Sequence, residues 1–259
     1  MARKKEPLLY EMDYNAKMDF IRMRVQSVIQ GYKNAILIMG SAGIGKTTVI
    51  LDELNETIKH NDKFQNYNII EFNGKISQPK SFFKLLSDNN DSKNILLFDD
   101  CNDLLDRNSK SVDIVRSACG ESKIRDVYFT DSEITPTSKK YKSHLKLRSK
   151  IIFISNLTES KLQESLYSRL NPYEIVIEPQ ELLDYIENNL TVIKPTQVPL
   201  GWKKEVIAFI KKENLIKSCK HFDFRIFFDL VLFRAASKIE NDWKTYVYAL
   251  MQKGIRKKM

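Results

Sequence analysis

Cysteine is rare in this sequence, and its three copies, Cys101, Cys119 and Cys219, stand far apart. None belongs to a C-x-x-C pair, so neither a disulfide framework nor a zinc site is predicted, and the composition favours a reducing compartment. No apolar run approaches the ~20 residues needed to cross a membrane. The basic segment at residues 1–7 has no apolar core behind it, so we do not expect a signal peptide. These absences predict a cytoplasmic protein.

Acidic residues are outnumbered, since 42 Lys and Arg face 33 Asp and Glu and leave a net charge of +9. Such an excess favours polyanionic partners, although alone it indicates only solubility and weak attraction. Hydrophobic residues make up 42% and charged residues 29%, as in soluble globular proteins. The 259 residues leave room for one α/β domain and a smaller appendage.

A glycine-rich segment follows the apolar run at residues 35–39 and fits the pattern G-x-x-x-x-G-K-[ST]. Its glycines permit backbone conformations closed to other residues, so that successive N–H groups can converge on phosphate oxygens. Lys46 brings a positive charge to the outer phosphates, and the Thr47 hydroxyl is the expected Mg²⁺ ligand. A helix predicted to begin around Lys46 points its positive dipole end at the same anion. The predicted nucleoside triphosphate site comprises Gly40, Ser41, Ala42, Gly43, Ile44, Gly45, Lys46, Thr47 and Thr48.

Two carboxylates end a second apolar strand, predicted at residues 94–98. Asp99 is expected to hold Mg²⁺, usually through water, and Asp100 to orient or deprotonate the attacking water. An apolar strand that delivers two acids at its carboxyl end is the partner that a phosphate loop requires. The sequence therefore predicts a nucleoside triphosphate and Mg²⁺ at this site, and hydrolysis as the reaction.

The remaining patterns predict a parallel five-stranded sheet covered by helices on both faces. The other three strands of this sheet are expected at residues 68–72, 151–156 and 174–177, and a short additional strand at 125–130. Helices are expected at 15–30, 81–86, 111–119 and 159–170. Helix 15–30 either covers a sheet edge or helps to enclose the nucleotide base. Four helical segments without strands then follow at 181–190, 203–214, 224–237 and 241–253. We predict an α/β nucleotide-binding domain at residues 1–178 and a helical lid domain at 179–259.

The order of these motifs resembles that of AAA+ ATPases over about residues 15–250. In that family a strand between the two nucleotide-binding motifs ends in a polar residue that positions water, and Asn156 takes this role by resemblance. The segment LYSRL at 166–170 is similar to the Ser-Arg motif of clamp-loader subunits, which implies that Arg169 is an arginine finger for a neighbouring subunit. Arg225, in FDFR at 222–225, matches the placement of the second-sensor arginine.

The segments ILLFDDCNDLL, IIFISNLTES and SLYSRL are similar to small AAA+ ATPases of tailed phages, many of which sit close to replication machinery. This resemblance implies an oligomeric ATP hydrolase that loads or remodels a nucleic-acid-associated machine, in the host cytoplasm if phage-encoded. Most AAA+ proteins place Glu after the metal-binding Asp, whereas this chain has the shorter Asp100. An ATP-gated adaptor with little turnover is therefore the alternative. A small-molecule kinase would leave Asn156, Arg169 and the helical segments unexplained.

The segment between residues 130 and 151 is longer than the ~2–6 residues of an α/β connection, so it is expected to project from the core. Lys139, Lys140 and Lys142 surround Tyr141, a mixture that suits phosphate contact with one stacking ring. The hypothesis is weak, sequence-independent nucleic-acid binding. The alternative is a solvated hairpin whose charges only keep the protein soluble.

Overall fold

The computed structural model describes residues 12–130, 142–237 and 242–251. By their contacts, the residues fall into two compact units. The sheet unit comprises Met18–Ser41 and Lys46–Ile175, and the helical unit comprises Met1–Lys17, Ala42–Gly45 and Val176–Met259. The domain boundary at residue 178 remains a prediction.

The sheet unit contains all the strands of the described residues. These are β1 (Ala35–Gly40), β2 (Asn68–Asn73), β3 (Asn94–Asp99), β4 (Arg125–Thr130), β5 (Lys142–Leu147), β6 (Lys150–Ser155) and β7 (Tyr173–Ile175). Five of them form one parallel sheet in the order β2-β3-β6-β1-β7, which confirms the predicted five-stranded sheet. Every residue of β1 and β6 is buried, because central parallel strands are covered on both faces.

The helices begin and end near their predicted positions, with one exception described below. They are α1 (Tyr14–Ile29), α2 (Lys46–His60), α3 (Pro79–Asp88), α4 (Val112–Ala118), α5 (Tyr167–Leu170), α6 (Pro179–Asn188), α7 (Leu200–Lys212), α8 (Phe224–Ala236) and α9 (Asp242–Met251). Helix α1 buries a stripe of apolar residues, which comprises Met18, Ile21, Val25, Val28 and Ile29. The first residue of α2 is Lys46, so this helix starts directly after the glycine-rich loop.

The continuous helix predicted over residues 159–170 is wrong. The chain instead forms 3₁₀ turns at Glu159–Lys161 and Glu164–Leu166, followed by the single turn of α5. Between the turns the backbone is extended at Leu162 and Gln163, and the Gln163 N–H donates to the Leu105 carbonyl at 3.1 Å. Leu162, Leu166 and Leu170 are all buried. Their spacing of four imitates a helix, although an extended segment, a 3₁₀ turn and the single turn of α5 supply them to one core.

A two-stranded antiparallel hairpin of β4 and β5 stands apart from the five-stranded sheet. The sequence predicted β4 but not its partner. Lys139, Lys140 and Tyr141 of the predicted basic segment lie outside the described residues, as does the side chain of Lys142. The nucleic-acid hypothesis for these four residues therefore remains a prediction.

Each of the helices α6 to α9 in the helical unit buries one apolar side, with Leu183, Ile207, Phe227 and Val247 among the residues that are at most 3% exposed. Helix α8 begins at a cap, because Asp223 Oδ1 accepts a hydrogen bond of 2.8 Å from the Ile226 N–H. Among the helices that the structure describes, none is long and apolar enough to cross a membrane.

Candidate active site

The carboxyl ends of β1, β3 and β6 bring the predicted site residues of the sheet unit together. Met39 is in register with Ser155, and Asp99 is in register with Ile154. The residues that follow these strand ends therefore share one edge of the sheet, as expected where parallel strands end together. The cluster at this edge comprises Gly40, Ser41, Lys46, Thr47, Asp99, Asp100 and Asn156.

Thr47 and Asp99, the two predicted Mg²⁺ ligands, are in direct contact. The Thr47 hydroxyl donates to Asp99 Oδ2 at 2.7 Å. Hydroxyl and carboxylate oxygens are the donors that Mg²⁺ accepts, and few protein ligands suffice because the ion keeps water and substrate oxygens. The residues present therefore fit the ion that the sequence predicts.

Lys46 is only 5% exposed, yet its ammonium group lies among oxygen atoms. Lys46 Nζ donates to the carbonyls of Gly40 at 2.9 Å and Ser41 at 2.7 Å, and lies 3.4 Å from Asn156 Oδ1. A buried ammonium needs such acceptors because its desolvation is otherwise unfavourable. The same bonds brace the start of the loop against the end of β6.

Asp100 and Asn156 form the exposed part of the cluster. Asn156 Nδ2 donates to Asp100 Oδ1 at 2.7 Å, so its amide links the carboxylate on one side to Lys46 on the other. Asp100 has a φ of 54°, in the left-handed region that Asp and Asn tolerate better than most residues. Its N–H donates to the Ile154 carbonyl at 3.2 Å, which holds this turn against β6. Strained backbone of this kind concentrates at functional sites.

The middle of the glycine-rich loop, Ala42–Gly45, belongs by its contacts to the helical unit. Gly43 has a φ of 73°, and a Cβ built there would lie 2.5 Å from Asp223 Oδ2. Gly45 has a φ of 93°, and its Cβ would lie 2.8 Å from the Tyr14 hydroxyl oxygen. Both positions therefore require glycine for conformation and for space.

Two hydrogen bonds fix this part of the loop. The Phe224 N–H donates to the Gly43 carbonyl at 3.0 Å, and the Tyr14 hydroxyl donates to the Ile44 carbonyl at 3.0 Å. The ring centroids of Tyr14 and Tyr185 are 4.0 Å apart, and Phe224 meets Tyr14 edge-on at 6.0 Å. Tyr14 and Phe224 thus lie beside the loop at Ile44 and Gly45, and the Tyr185 ring packs against Tyr14.

Cys101 follows the aspartate pair but is unsuited to act as a nucleophile. Burial, reinforced by the nearby carboxylates of Asp99, Asp100 and Asp103, raises the pKa of its thiol to about 12. The thiol therefore stays protonated near neutral pH, and the reactive form of cysteine is the thiolate. The chemistry of the cluster rests on its oxygen and nitrogen groups.

Arg169 does not join the cluster. It is exposed, its Nη1 donates to the Arg116 carbonyl at 3.1 Å, and it lines a cavity of about 270 Å³ together with Ala35 and Gly120. Ala35 begins β1 and Gly40 ends it, so the two ends of this strand lie about 17 Å apart, given the strand rise per residue. Arg169 is thus near the amino ends of the strands, whereas Lys46 is at their carboxyl ends.

Arg225 is the second residue of α8 and is exposed. It directly follows Phe224, whose N–H binds the Gly43 carbonyl. The chain therefore carries Arg225 close to the loop segment Ala42–Gly45. Its contact with a nucleotide remains a prediction.

Comparison with known proteins gives similarity of structure rather than of sequence. No protein-family model matches the chain, and no curated protein matches it. Domain III of the replication initiation protein DnaA from Thermotoga maritima is similar, with a TM-score of 0.53 and 14% identity over 90% of this chain and 92% of that one.

Two further DnaA structures are similar. AMPPCP-bound DnaA from Aquifex aeolicus has a TM-score of 0.52 and 15% identity over 94% of this chain and 69% of that one. A replication initiator DnaA bound to AMPPCP and single-stranded DNA has a TM-score of 0.53 and 16% identity over the same shares. These neighbours are AAA+ ATPases, so the chain has the fold of an AAA+ ATPase domain.

Sequence reasoning missed the residues that support the loop from the helical unit. Asp223 carries a detectable signal, because an Asp before the apolar run of α8 indicates a helix cap. Tyr14 carries none, since its contact with Ile44 joins residues 30 positions apart.

Proposed function

We propose that this chain is an oligomeric AAA+ ATPase that binds and hydrolyses ATP. One observation carries the proposal: the ends of three adjacent parallel strands gather Lys46, Thr47, Asp99, Asp100 and Asn156 into one hydrogen-bonded cluster. A phosphate loop, two acids and a polar amide are the groups that phosphoryl transfer to water requires.

Each residue has a distinct task in this proposal. Loop N–H groups and Lys46 bind the phosphates, and Thr47 and Asp99 hold Mg²⁺, which when bound offsets phosphate charge. Asp100 accepts the proton of the attacking water or orients that water, and Asn156 holds the Asp100 carboxylate in place through the 2.7 Å bond. Arg225 contacts the nucleotide from the start of α8.

Arg169 acts in this proposal on the nucleotide of a neighbouring copy. The position of Arg169 supports this role. Arg169 lies near Ala35 at the start of β1, too far from Lys46 to contact a nucleotide bound by its own chain. An arginine finger typically increases the turnover number by a factor of ~10³–10⁵. The isolated chain would therefore be nearly inactive.

The ATPase cycle drives the loading or remodelling of a nucleic-acid machine, of the kind found in replication. Support comes from the similarity to replication initiators, one of which is bound to single-stranded DNA, and from the net charge of +9. Within this proposal, Lys139, Lys140, Tyr141 and Lys142 contact the nucleic acid, and the protein works in the cytoplasm.

The direct test is the turnover number measured over a range of protein concentrations with ATP and Mg²⁺ in excess. Turnover per chain that rises with concentration supports a site completed between copies. ATP binding with no hydrolysis at any concentration would favour the second candidate, an ATP-gated adaptor. Asp100 favours that candidate, because its carboxylate is short and already engaged by Asn156.

A further inference from the structure

The outward face of the β4–β5 hairpin carries side chains that the ATPase site does not use. Alternate residues of each strand point to solvent. On this exposed face, Asp126 lies opposite Lys146 and Tyr128 lies opposite His144. The inward residues Val127 and Leu147 are fully buried. The hairpin is therefore a two-sided structure with one face packed and one face exposed.

Two rings are stacked in the middle of the exposed face. The ring centroids of Tyr128 and His144 are 4.6 Å apart, and their planes differ by 12°. Tyr128 is 46% exposed and the His144 side chain 40% exposed. His144 Nε2 lies 2.7 Å from Asp126 Oδ1, a contact that fixes the orientation of the imidazole ring.

The base of the hairpin is firmly attached to the rest of the sheet unit. The Arg125 guanidinium is buried and donates to the carbonyls of Ala118, at 2.8 Å, and Ser149. The Asn90 side chain accepts from the Arg148 N–H at 2.7 Å and donates to the Lys146 carbonyl at 3.0 Å. The rings are therefore ordered in advance, and a ligand that stacks on them loses little additional entropy.

The charge around the rings is positive. Lys146 and Arg148 are exposed and alternate with Leu147 along the strand, so they share the face of His144. Asp126, which lies on the same face, is engaged by His144. Exposed aromatic rings flanked by Lys and Arg are the combination that binds unpaired bases and their phosphates together.

We propose that the Tyr128–His144 stack is a base-stacking platform for single-stranded nucleic acid, with Lys146 and Arg148 as its phosphate contacts. This inference rests on the nucleic-acid part of the proposed function and names a site for it. In this proposal, a planar unpaired base stacks on the pair of rings as a third member. Paired bases in a duplex cannot do so, because they are already stacked on their neighbours.

The test is fluorescence anisotropy of the full-length protein with a labelled oligothymidine and with a duplex of equal length, at low salt. Tyr128→Leu removes the ring and should weaken binding to the single strand about tenfold, while binding to the duplex stays unchanged. Tyr128→Phe keeps the ring and should bind as the parent does. His144→Ala should also weaken single-strand binding.

The salt dependence separates stacking from charge. Tyr128→Leu should lower affinity at every salt concentration without changing the slope of log affinity against log salt, whereas Lys146→Gln should reduce that slope by about 0.7. Tyr246→Leu is the matched control, because Tyr246 is also exposed, at 52%, and stacked on a ring, that of Phe233. Unchanged thermal unfolding would confirm that the variants fold.

Equal single-strand affinity of Tyr128→Leu and the parent would overturn the platform, and this is the result expected if the rings serve a protein partner. A parallel loss of affinity for single strand and duplex would also overturn it. No binding by the parent would also overturn it. ATP hydrolysis by the same preparation would then still support the ATPase, so the two failures are distinguishable.

Discussion

Two regions of the sheet unit differ in how they bring functional residues to their places. At the ends of β1, β3 and β6, the parallel pairing itself aligns Gly40, Asp99 and Asn156 at one edge. In the segment of residues 159–170, two 3₁₀ turns and one helical turn lead to Arg169, and contacts with the neighbouring loop set their path.

The difference shows which kind of site is encoded locally. A strand end has a fixed position once the sheet forms, so a motif at that end has a predictable location. A connector takes its course from the loop against which it packs, here through the Gln163 bond to Leu105. Substitutions in each region distinguish whether the two are nonetheless parts of one catalytic site.

The largest expected effect is that of Lys46→Ala on the strand-end region. The change removes the phosphate-binding charge and the hydrogen bonds to the Gly40 and Ser41 carbonyls. ATP affinity should fall at least about a hundredfold, and turnover should become undetectable. Titration with a fluorescent ATP analogue measures the affinity. Lys59→Ala, at the exposed end of the same helix, is the control, and tight binding by Lys46→Ala would remove Lys46 from its assigned role.

Arg169→Ala tests the connector region. ATP affinity should remain that of the parent, because Arg169 is distant from Lys46 in its own chain. Turnover should fall by ~10³ or more at every protein concentration. Arg116→Ala is a matched control, since it removes a neighbouring guanidinium and keeps the carbonyl that Arg169 binds. Turnover equal to the parent would limit Arg169 to a structural role.

Asp100→Asn should keep ATP affinity and lower turnover by ~10²–10⁴, because the amide cannot accept a proton from water. Asparagine also tolerates the φ of 54° at this position, so the turn is preserved. Steady-state hydrolysis and nucleotide titration measure the two effects. Asp103→Asn should change turnover little, and hydrolysis that persists in Asp100→Asn would reassign the general base.

The smallest effect concerns the residue that ends α5. Asn171 has a φ of 42° and its N–H caps the Tyr167 carbonyl at 2.8 Å. Asn171→Ala should lower the free energy of unfolding by ~1 kcal/mol, whereas Asn171→Gly should be nearly neutral because glycine adopts this conformation without strain. Denaturant unfolding measures both, and equal stability of the two variants would mean that the turn relaxes.

The sequence predicted the five parallel strands and the residues at their ends, because apolar runs and the phosphate-loop pattern are local signals. It did not predict β5, because most residues of this strand are polar and give no apolar run. The strand gains its stability by pairing with β4. The stack of Tyr128 on His144 also escaped prediction, since it depends on a register between distant residues. The contacts of Tyr14 and Asp223 with the loop were missed for the same reason.

Mixing two inactive variants tests whether Asp100 and Arg169 belong to one active site shared between two copies. Each of Asp100→Asn and Arg169→Ala lacks one half of the site, but a mixed assembly places the intact Arg169 of one variant beside the intact Asp100 of the other. A shared active site predicts that the mixture hydrolyses ATP clearly faster than either variant alone. No recovery in a mixture shown to co-assemble would contradict it.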